Sequence, residues 1–288
     1  MAALLDGAEV VELNGGRLLL RRTVQEAGEL RAVEPLLDRA LEAAVPLDQV
    51  VAIDTETTGL AGGTGTVAFL IGLARWEAGH LVLDQALMPD YPDEPALLAW
   101  LARQLDRARA LLSYNGKTFD LPLLRTRWRM HGERDVAPDA LPHLDLLHVV
   151  RRLFAHRLRT CSLENAERAI LEARRQGDLP GKAAPRAFFR YLDGHELETM
   201  AAVFHHNAHD TVSILHLTRR IAALYADPER ETLGDPSDWL GLAEWAEALG
   251  DLDRARHVFG LALTALRGTP QRTRIELRLA GICERTGR

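Results

Sequence analysis

Strand-length apolar runs alternate with longer amphipathic stretches through residues 48–225 of the chain. The strand-length runs lie near residues 50–57, 66–77, 80–88 and 110–114. The longer stretches repeat their apolar residues at helical spacing, as Val212, Leu215, Leu217 and Ile221 do. Alternation of this kind predicts an α/β domain.

A shorter region, residues 1–47, precedes this domain. Its string VVELNGGRLLLRR predicts two strands around Asn14-Gly15, a dipeptide typical of a two-residue hairpin turn. A helical pattern follows near residues 33–44. We therefore expect an N-terminal extension made of a hairpin and a helix.

The C-terminal segment, residues 232–288, follows a linker marked by Asp227-Pro228 and Asp235-Pro236. Its string resembles a tetratricopeptide repeat, and the chain stops halfway through a second copy. Such units bury their faces against neighbours, so we expect this end to fray or the chain to be a shortened form. The alternative is an ordinary helical hairpin. The repeat-like positions are Trp239, Leu242, Ala243, Gly250, Ala255, Phe259 and Ala262, with Leu279, Ala280 and Gly287 in the second copy.

The composition is that of a folded protein without membrane spans. The chain has 288 residues, of which 47% are hydrophobic, enough for one large domain and accessory segments. The start, MAALLDGAEVVELNGG, has no basic region or long apolar stretch, so we do not expect a signal peptide. Cys161 and Cys283 are isolated and make no disulfide framework. We therefore expect a cytoplasmic protein that does not enter membranes.

Two carboxylates stand at the end of the first predicted strand, in the string VAIDTETTGL. Asp54 and Glu56 are two positions apart, so on a strand both side chains point to the same face. Their charges repel and raise each other's pKa unless a cation lies between them. The pair indicates a site for Mg²⁺ or Mn²⁺, which prefer oxygen ligands. The alternative is a strand end with two solvated acids.

Two further acidic residues lie in positions that suit the same site. Asp120 begins an amphipathic helix after the predicted strand near 110–114; its alternative role is a helix N-cap. Asp210 lies on a predicted helix, with His205, His206 and His209 just before it. The chain lacks an HExxH motif and paired cysteines, so three separated acidic motifs favour Mg²⁺ or Mn²⁺ over zinc.

The strings DTETTG, YNGKTFDLP and HNAHD resemble, in this order, the three motifs of the DEDD superfamily of RNase H-like 3′→5′ exonucleases. The longer string DTETTGLAGGTGTVAFLIGLARW, with PHLDLLH and the HN-x-x-D ending, is most similar to YprB-type RNase H-like proteins of bacteria. This resemblance covers roughly residues 50–225.

The resemblance implies an RNase H-like, exonuclease-type fold with a mixed sheet flanked by helices. It implies a metal-dependent 3′→5′ exonuclease that hydrolyses single-stranded DNA or RNA. The metal ligands would be Asp54, Glu56, Asp120 and Asp210, holding two Mg²⁺ or Mn²⁺ ions. One ion would generate the nucleophile and the other would stabilise the leaving oxygen.

Two histidines compete for the role of positioning the attacking water. DEDD enzymes place a Tyr four residues before the last acid or a His five residues before it, whereas this chain has His206 at four and His205 at five. On a helix, adjacent residues diverge by about 100°, and the residue four before Asp210 lies nearly above it. We therefore predict that His206 orients or deprotonates the water; His205 is the alternative.

Basic residues near these motifs are candidates for binding phosphate groups. The formal net charge is −6, so there is no global basic footprint for nucleic acid. Arginines nevertheless cluster after PHLDLLH and, as Arg125, Arg127 and Arg129, after the second motif. Instead of binding phosphate, the arginines could form solvated helix faces, and Lys117 could lie in a solvated turn. The predicted substrate-binding residues are Lys117, Arg151, Arg152, Arg157 and Arg159.

Two other functions remain open. One is a non-catalytic nucleic-acid-binding or scaffold protein that recruits a protein partner through its tetratricopeptide-like helices. The other is a structure-selective endonuclease on the same fold. The presence of all four carboxylates favours an enzyme. The glycine-rich run over residues 62–66 leads into a strand rather than a helix, so it predicts a tight connection between strands rather than a phosphate loop.

Overall fold

The structure of the chain, a computed structural model, describes residues 5–59, 64–133, 136, 138–175, 177–194, 197–231, 235–266 and 268–286. Two compact units are present. The first comprises Met1–Leu146 and Arg175–His216, and the second comprises Leu147–Arg174 and Leu217–Arg288. These divisions differ from the predicted segments 1–47, 48–225 and 232–288. The N-terminal hairpin shares a unit with the sheet, and Leu147–Arg174 of the predicted 48–225 domain belong to the second unit. The functional division into those segments stays a prediction.

Within the described residues, the first unit contains one mixed sheet of seven strands. In space the order is β1-β2-β5-β4-β3-β6-β7. Neighbouring strands are antiparallel from β1 through β2, β5 and β4 to β3. Strands β3, β6 and β7 run parallel to one another. The predicted α/β class, a mixed sheet flanked by helices, is confirmed. The strands are β1 (Ala8–Leu13), β2 (Gly16–Glu26), β3 (Val50–Thr57), β4 (Ala68–Glu77), β5 (His80–Leu87), β6 (Ala110–Ser113) and β7 (His143–Asp145).

The α-helices include one long helix, α7, that carries the third acidic motif. Within the described ranges, none of the helices is both long enough and apolar enough to cross a membrane. The helices are α1 (Val33–Leu41), α2 (Glu94–Leu105), α3 (Asp120–Met130), α4 (Leu146–Phe154), α5 (Leu163–Ala166, continued by a π turn over Glu167–Leu171), α6 (Ala184–Leu192), α7 (Leu197–Ala226), α8 (Ser237–Ala248), α9 (Leu252–Ala265) and α10 (Gln271–Thr286).

The predicted N-terminal hairpin forms and extends the sheet. Asn14 has φ 51° and Gly15 has φ 78°, the left-handed conformations that a two-residue hairpin turn requires. Strand β2 is longer than β1, and it pairs with β5 as well. The predicted helix near 33–44 ends earlier, at Leu41, because Glu42 adopts a left-handed conformation with φ 53°.

Helices cover both faces of the sheet beside β4. Seven consecutive residues of β4, Ala68–Ala74, are buried, and successive strand residues point to opposite faces. On one face, Phe69 stacks on Phe188 of α6 with ring centroids 4.2 Å apart. On the other face, Gly72 lies against α7. A polar side chain on the α7 face is therefore enclosed by protein.

The second unit contains α8, α9 and α10. The repeat-like residues of the first copy are largely buried, and Gly250, with φ +74°, lies between α8 and α9. Gly287 lies outside the described residues, and the tetratricopeptide assignment stays a prediction. The buried members of the set are Leu242, Ala243, Ala255, Phe259 and Ala262.

A buried acid in the second unit engages one of the predicted phosphate-binding arginines. Asp238 is 2% exposed, and its Oδ1 accepts from Arg157 Nε at 2.9 Å. His156 Nε2 lies 3.0 Å from the same oxygen, and Arg157 Nη1 also donates to Ala169 O at 3.2 Å. A carboxylate removed from water needs such a counter-charge. Arg157 therefore has an internal structural role, and its phosphate contact stays a prediction.

A buried ion pair joins α2 to α3 in the first unit. Arg127 donates through Nε and Nη2 to the two carboxylate oxygens of Glu94, both at 2.5 Å. Arg127 Nη1 donates to Thr64 O at 2.7 Å, and His131 Nε2 lies 2.8 Å from Glu94 Oε2. The exposed fractions are 8% for Arg127 and 4% for Glu94. Arg127 thus stabilises the fold and is not part of a basic surface beside the second motif.

In the glycine-rich connection predicted over residues 62–66, residues 62 and 63 lie outside the described residues.

Breaking the ion pair between Glu94 and Arg127 should destabilise the first unit. We expect Glu94→Gln to lower the free energy of unfolding by about 3 kcal/mol, because it leaves the Arg127 guanidinium buried without its counter-charge. Urea unfolding followed by circular dichroism measures the change. Arg129→Gln, at an exposed position of the same helix, is the matched control and should stay within about 0.5 kcal/mol of wild type. Equal losses from both variants would contradict the structural role.

Candidate active site

Strand β3 carries the first two acidic residues past the end of its parallel neighbour. Strand β6 pairs with β3 only over Val50–Ala52, whereas β4 continues beside Asp54 and Glu56. The chain that leaves β6 therefore turns next to these two carboxylates. Glu56 is 7% exposed. Ends of parallel strands are common places for ligand sites in α/β proteins, because the turns that follow them leave a crevice.

The turn after β6 places Asp120 beside this strand end. Asn115 adopts a left-handed conformation with φ 70°. Its N–H donates to Asp145 Oδ1 at 2.7 Å, and the N–H of Lys117 donates to Asp145 Oδ2 at 3.1 Å. Helix α3 then begins at Asp120, whose Oδ1 accepts from Thr55 Oγ1 at 2.5 Å. Asp120 is the first helical residue and is held by β3.

Asp145 is a supporting residue that the sequence analysis did not identify. It is 2% exposed and lies at the end of β7, inside the string PHLDLLH. Both of its oxygens accept backbone N–H groups of the turn that leads to Asp120. Its place in the string PHLDLLH, one of the strings that resemble YprB-type proteins, was the available signal.

Polar residues of helix α7 contact the carboxylates of β3. Asn207 is fully buried and donates through Nδ2 to Asp54 Oδ2 at 2.9 Å. Its Oδ1 accepts from Gln85 Nε2 at 2.9 Å, and Gln85 also donates to Phe204 O at 2.8 Å. This network fixes which atom of the Asn207 amide faces Asp54. The orientation of Asp54 is therefore set by residues from α7 and β5.

The two candidate histidines diverge on α7, which is helical throughout this stretch. The ring of His206 is 8% exposed, and its Nε2 lies 3.7 Å from Asp210 Oδ2 and 4.0 Å from Glu56 Oε1. His205 is exposed, and its ring lies 4.5 Å from the ring of His209. The structure thus brings His206 to the carboxylates.

An arginine and an acid that the sequence analysis did not identify complete the cluster. Arg175 Nη2 lies 2.6 Å from Asp210 Oδ1, and its Nη1 lies 2.8 Å from Asp178 Oδ2. The same oxygen of Asp178 lies 2.9 Å from His206 Nδ1. Neither Arg175 nor Asp178 belongs to one of the three motifs, and the segment that holds them has no periodic pattern. No sequence signal singled them out.

The carboxylates perturb one another strongly. Burial, followed by the charges of Asp210, Glu56 and Asp120, raises the pKa of Asp54 well above its usual range. Burial and the charges of Asp210, Asp120 and Asp178 do the same to the pKa of Glu56. Burial raises the pKa of Asp120 to about 6. Such shifts are typical of sites where a cation or a proton is required.

The donor set fits hard divalent cations, although its side chains are engaged by protein groups. Within the described ranges, no three His, Cys, Asp or Glu side chains already form a group that could hold a metal ion. Three of the acids are in contact with other side chains: Asn207 engages Asp54, Thr55 engages Asp120, and Arg175 engages Asp210. These partners are side chains, so carboxylate oxygens can become available through rotamer changes. Four clustered carboxylates are the oxygen ligands that Mg²⁺ and Mn²⁺ prefer.

The predicted substrate-binding residues fall into two groups. Lys117 is exposed in the turn before Asp120, and Phe119 in the same turn exposes 53% of its surface. The four predicted arginines belong to the second unit. Three of them are exposed and the fourth, Arg157, is engaged by Asp238; all four stay predicted phosphate contacts. The three are Arg151, Arg152 and Arg159.

Comparisons with known proteins find a family model, a similar curated protein and a similar solved structure. Residues 51–222 match the family model RNase_H_2 of the RNase_H superfamily. The "Uncharacterized protein YprB" of Bacillus subtilis (strain 168) is 34% identical over 206 residues, which cover 70% of this chain and 48% of that protein. The chain thus spans about half the length of this curated relative. The family B DNA polymerase from the hyperthermophilic archaeon Pyrobaculum calidifontis is a solved structure with 14% identity and a TM-score of 0.48, over 77% of this chain and 29% of the polymerase.

The close approach of α7 to β4 depends on Gly72. A Cβ at this position would overlap Thr211 Oγ1 and lie 2.6 Å from Asn207 Oδ1. We expect Gly72→Ala to lower the free energy of unfolding by about 1–3 kcal/mol, the usual cost of overpacking. Chemical denaturation measures the loss. Gly65→Ala is the matched control, because nothing lies within 4 Å of its added methyl group. Unchanged stability of Gly72→Ala would refute this packing.

The raised pKa of Asp120 predicts how stability depends on pH when EDTA removes divalent ions. The pKa is about 6 in the folded state, above its unfolded value. Its contribution to stability is therefore fully present below the unfolded pKa, about 4, and is lost as the pH rises through 6; two pKa units correspond to roughly 3 kcal/mol. Asp120→Asn keeps the shape without the charge, so we expect it to match wild type at pH 4 and to melt at a higher temperature at pH 7.

Thermal unfolding in EDTA at the two pH values measures this difference. Glu29→Gln, whose side chain is 68% exposed in wild type, controls for the loss of one negative charge. An Asp120→Asn variant that melts below wild type at pH 7 would show that the carboxylate stabilises the fold in its charged form.

Proposed function

The chain belongs to the RNase_H superfamily, because residues 51–222 match the family model RNase_H_2. We propose that it is a divalent-metal-dependent nuclease. We propose more specifically a 3′→5′ exonuclease that acts on single-stranded DNA or RNA. The polarity and the substrate class rest on the resemblance of the three acidic motifs to DEDD exonucleases. Members of the superfamily usually use divalent metal ions.

The observation that carries the proposal is the meeting of four carboxylates and one histidine. Asp54, Glu56, Asp120 and Asp210 come from β3, α3 and α7, and their charges or burial raise the pKa of three of them. Repulsion of this kind costs free energy of folding unless a cation offsets it. Acids whose burial and repulsion destabilise the fold are typical of functional sites, so the cluster supports a metal site over a structural role.

The residues of the chain supply binding, orientation and proton transfer. Two Mg²⁺ or Mn²⁺ ions, bound to the four carboxylates, would activate the attacking water and offset the charge of the leaving oxygen. His206 faces this region through Nε2 and accepts the proton that the water loses. Asn207 keeps Asp54 in place. Arg175 offsets part of the negative charge at Asp210, beside the anionic substrate.

Nucleic acid would be bound by stacking and by phosphate contacts. The half-exposed ring of Phe119 directly precedes Asp120, a suitable place for a base of a single strand to stack. Lys117 in the same turn is a proposed phosphate contact. Arg151, Arg152 and Arg159 are further proposed contacts from the second unit. The proposed protein partner would bind the tetratricopeptide-like segment, residues 232–288.

A cleavage assay distinguishes the proposed exonuclease from its rivals. Single-stranded DNA and RNA labelled at the 5′ end are incubated with Mg²⁺, Mn²⁺ or EDTA. A ladder that shortens from the 3′ end in the presence of metal supports the exonuclease. Internal cuts would support the structure-selective endonuclease, and the absence of cleavage with every metal would support the non-catalytic binder.

The histidine pair gives the sharpest test of the proposed site. We expect His206→Ala to lower the cleavage rate by about 10²–10⁴, the usual contribution of general-base help, while Mn²⁺ binding by calorimetry is retained. His205→Ala, one residue earlier on the exposed face of α7, should cleave like wild type. Asp54→Ala should abolish cleavage and weaken Mn²⁺ binding. Equal, small effects of both histidine variants would remove His206 from the mechanism.

A further inference from the structure

Asp178 contacts the candidate active site from a segment that belongs to none of the acidic motifs. Its side chain is 10% exposed. Its Oδ2 lies 2.9 Å from His206 Nδ1 and 2.8 Å from Arg175 Nη1. Its Oδ1 is buried and has no hydrogen-bond partner among the described residues. A carboxylate so enclosed is costly, and its main contacts are with the two side chains that face Asp210.

The contact with Asp178 decides which nitrogen of His206 carries the proton. Burial raises the pKa of Asp178, but the hydrogen bonds from His206 and Arg175 outweigh burial and lower the pKa below its usual value. Asp178 is therefore ionised at neutral pH, and an ionised carboxylate only accepts hydrogen bonds. His206 Nδ1, 2.9 Å from this carboxylate, must then be the donor, which leaves Nε2 as the nitrogen that can accept a proton.

The lone pair on Nε2 points toward the proposed metal ligands. Nε2 lies 3.7 Å from Asp210 Oδ2 and 4.0 Å from Glu56 Oε1, beyond direct hydrogen-bond length. Gly181, three residues after Asp178, adjoins this nitrogen: a Cβ at Gly181 would lie 3.0 Å from Nε2. The same segment thus contacts the ring at Nδ1 through Asp178 and adjoins Nε2 through a residue that has no side chain.

We infer that Asp178 is a positioning residue for hydrolysis, holding His206 in the tautomer and orientation in which Nε2 accepts the proton of the attacking water. This inference rests on the proposed nuclease function. As the water oxygen bonds to phosphorus and the bond from phosphorus to the leaving 3′ oxygen breaks, the water proton moves to Nε2. The imidazolium that forms is stabilised by the adjacent Asp178 carboxylate, which stays ionised.

A simpler role for Asp178 would be to hold Arg175 against Asp210. The two roles predict different couplings. If Asp178 acts through His206, its removal costs nothing further once His206 is absent, because residues that act as a unit are not additive. If it acts through Arg175, the losses from Asp178→Ala and His206→Ala should multiply.

Steady-state cleavage of a labelled single strand by the full chain measures the coupling. We expect Asp178→Ala to lower kcat at least tenfold, because it weakens the general-base help of His206. KM and the affinity for Mn²⁺ should stay within about twofold of wild type. Asp178→Asn retains an acceptor for His206 Nδ1 but lacks the charge that stabilises the imidazolium, so its kcat should lie between those of Asp178→Ala and wild type; a kcat of Asp178→Asn no higher than that of Asp178→Ala would contradict the tautomer role. The double variant with His206→Ala should be no slower than His206→Ala. Asp193→Ala, at an exposed position, is the control.

A measurement that needs no activity separates this inference from the proposed function. Imidazole ¹⁵N spectra of histidine-labelled protein should show His206 protonated on Nδ1 in wild type and Asp178→Asn, and shifted toward Nε2 protonation in Asp178→Ala. A wild type that cleaves, with Asp178→Ala equally fast or multiplicative losses in the double variant, overturns the inference and leaves the nuclease function intact. A wild type that fails to cleave overturns the nuclease function, whereas His206 protonated on Nε2 in wild type overturns the tautomer assignment.

Discussion

Repulsion among neighbouring carboxylates is the main constraint on the first unit, and polar contacts from several of its elements offset this repulsion. Thr55 and Asn207 each donate a hydrogen bond to one of these acids, and Arg175 brings a positive charge to another. Gln85 in turn fixes the amide of Asn207 from an interior strand. These supports come from the sheet, from α7 and from the segment before α6, so the geometry of the acids depends on the whole unit. Burial and the charges of the neighbouring acids still raise the pKa values of Asp54 and Glu56 in the presence of these contacts.

The parts of the site that could be predicted from sequence are those governed by a local period. Asp54 and Glu56 share a face because strand side chains alternate. His206 rather than His205 reaches Asp210 because α7 is a regular helix, on which residues four apart lie on one face. The strands from β3 to β6 were likewise predicted to within two residues, since their apolar runs are short and bounded by turn residues.

Contacts that join distant segments could not be predicted in this way. Arg127, Arg157 and Arg175 look alike in sequence, yet each pairs with a different acid: Glu94, Asp238 and, for Arg175, Asp210. A charged side chain acquires its role from the partner that folding brings to it, and nothing in a single sequence states that partner. The N-terminal hairpin was predicted as a separate extension for a similar reason. Its own pattern specifies two strands but not the pairing of β2 with β5.

The first unit is discontinuous along the chain, and this affects when the site can exist during synthesis. Asp54, Glu56 and Asp120 lie in Met1–Leu146, whereas Arg175, Asp178, His206 and Asp210 lie in Arg175–His216, with a segment of the other unit between them. A nascent chain that ends before α7 can pair β1 to β7 but lacks His206, Asn207 and Asp210. Domains fold as units once their residues have left the ribosome, and contacts between distant segments form late. A chain still attached to the ribosome would therefore carry Asp54, Glu56 and Asp120 without the helix that brings His206 and Asp210 to them.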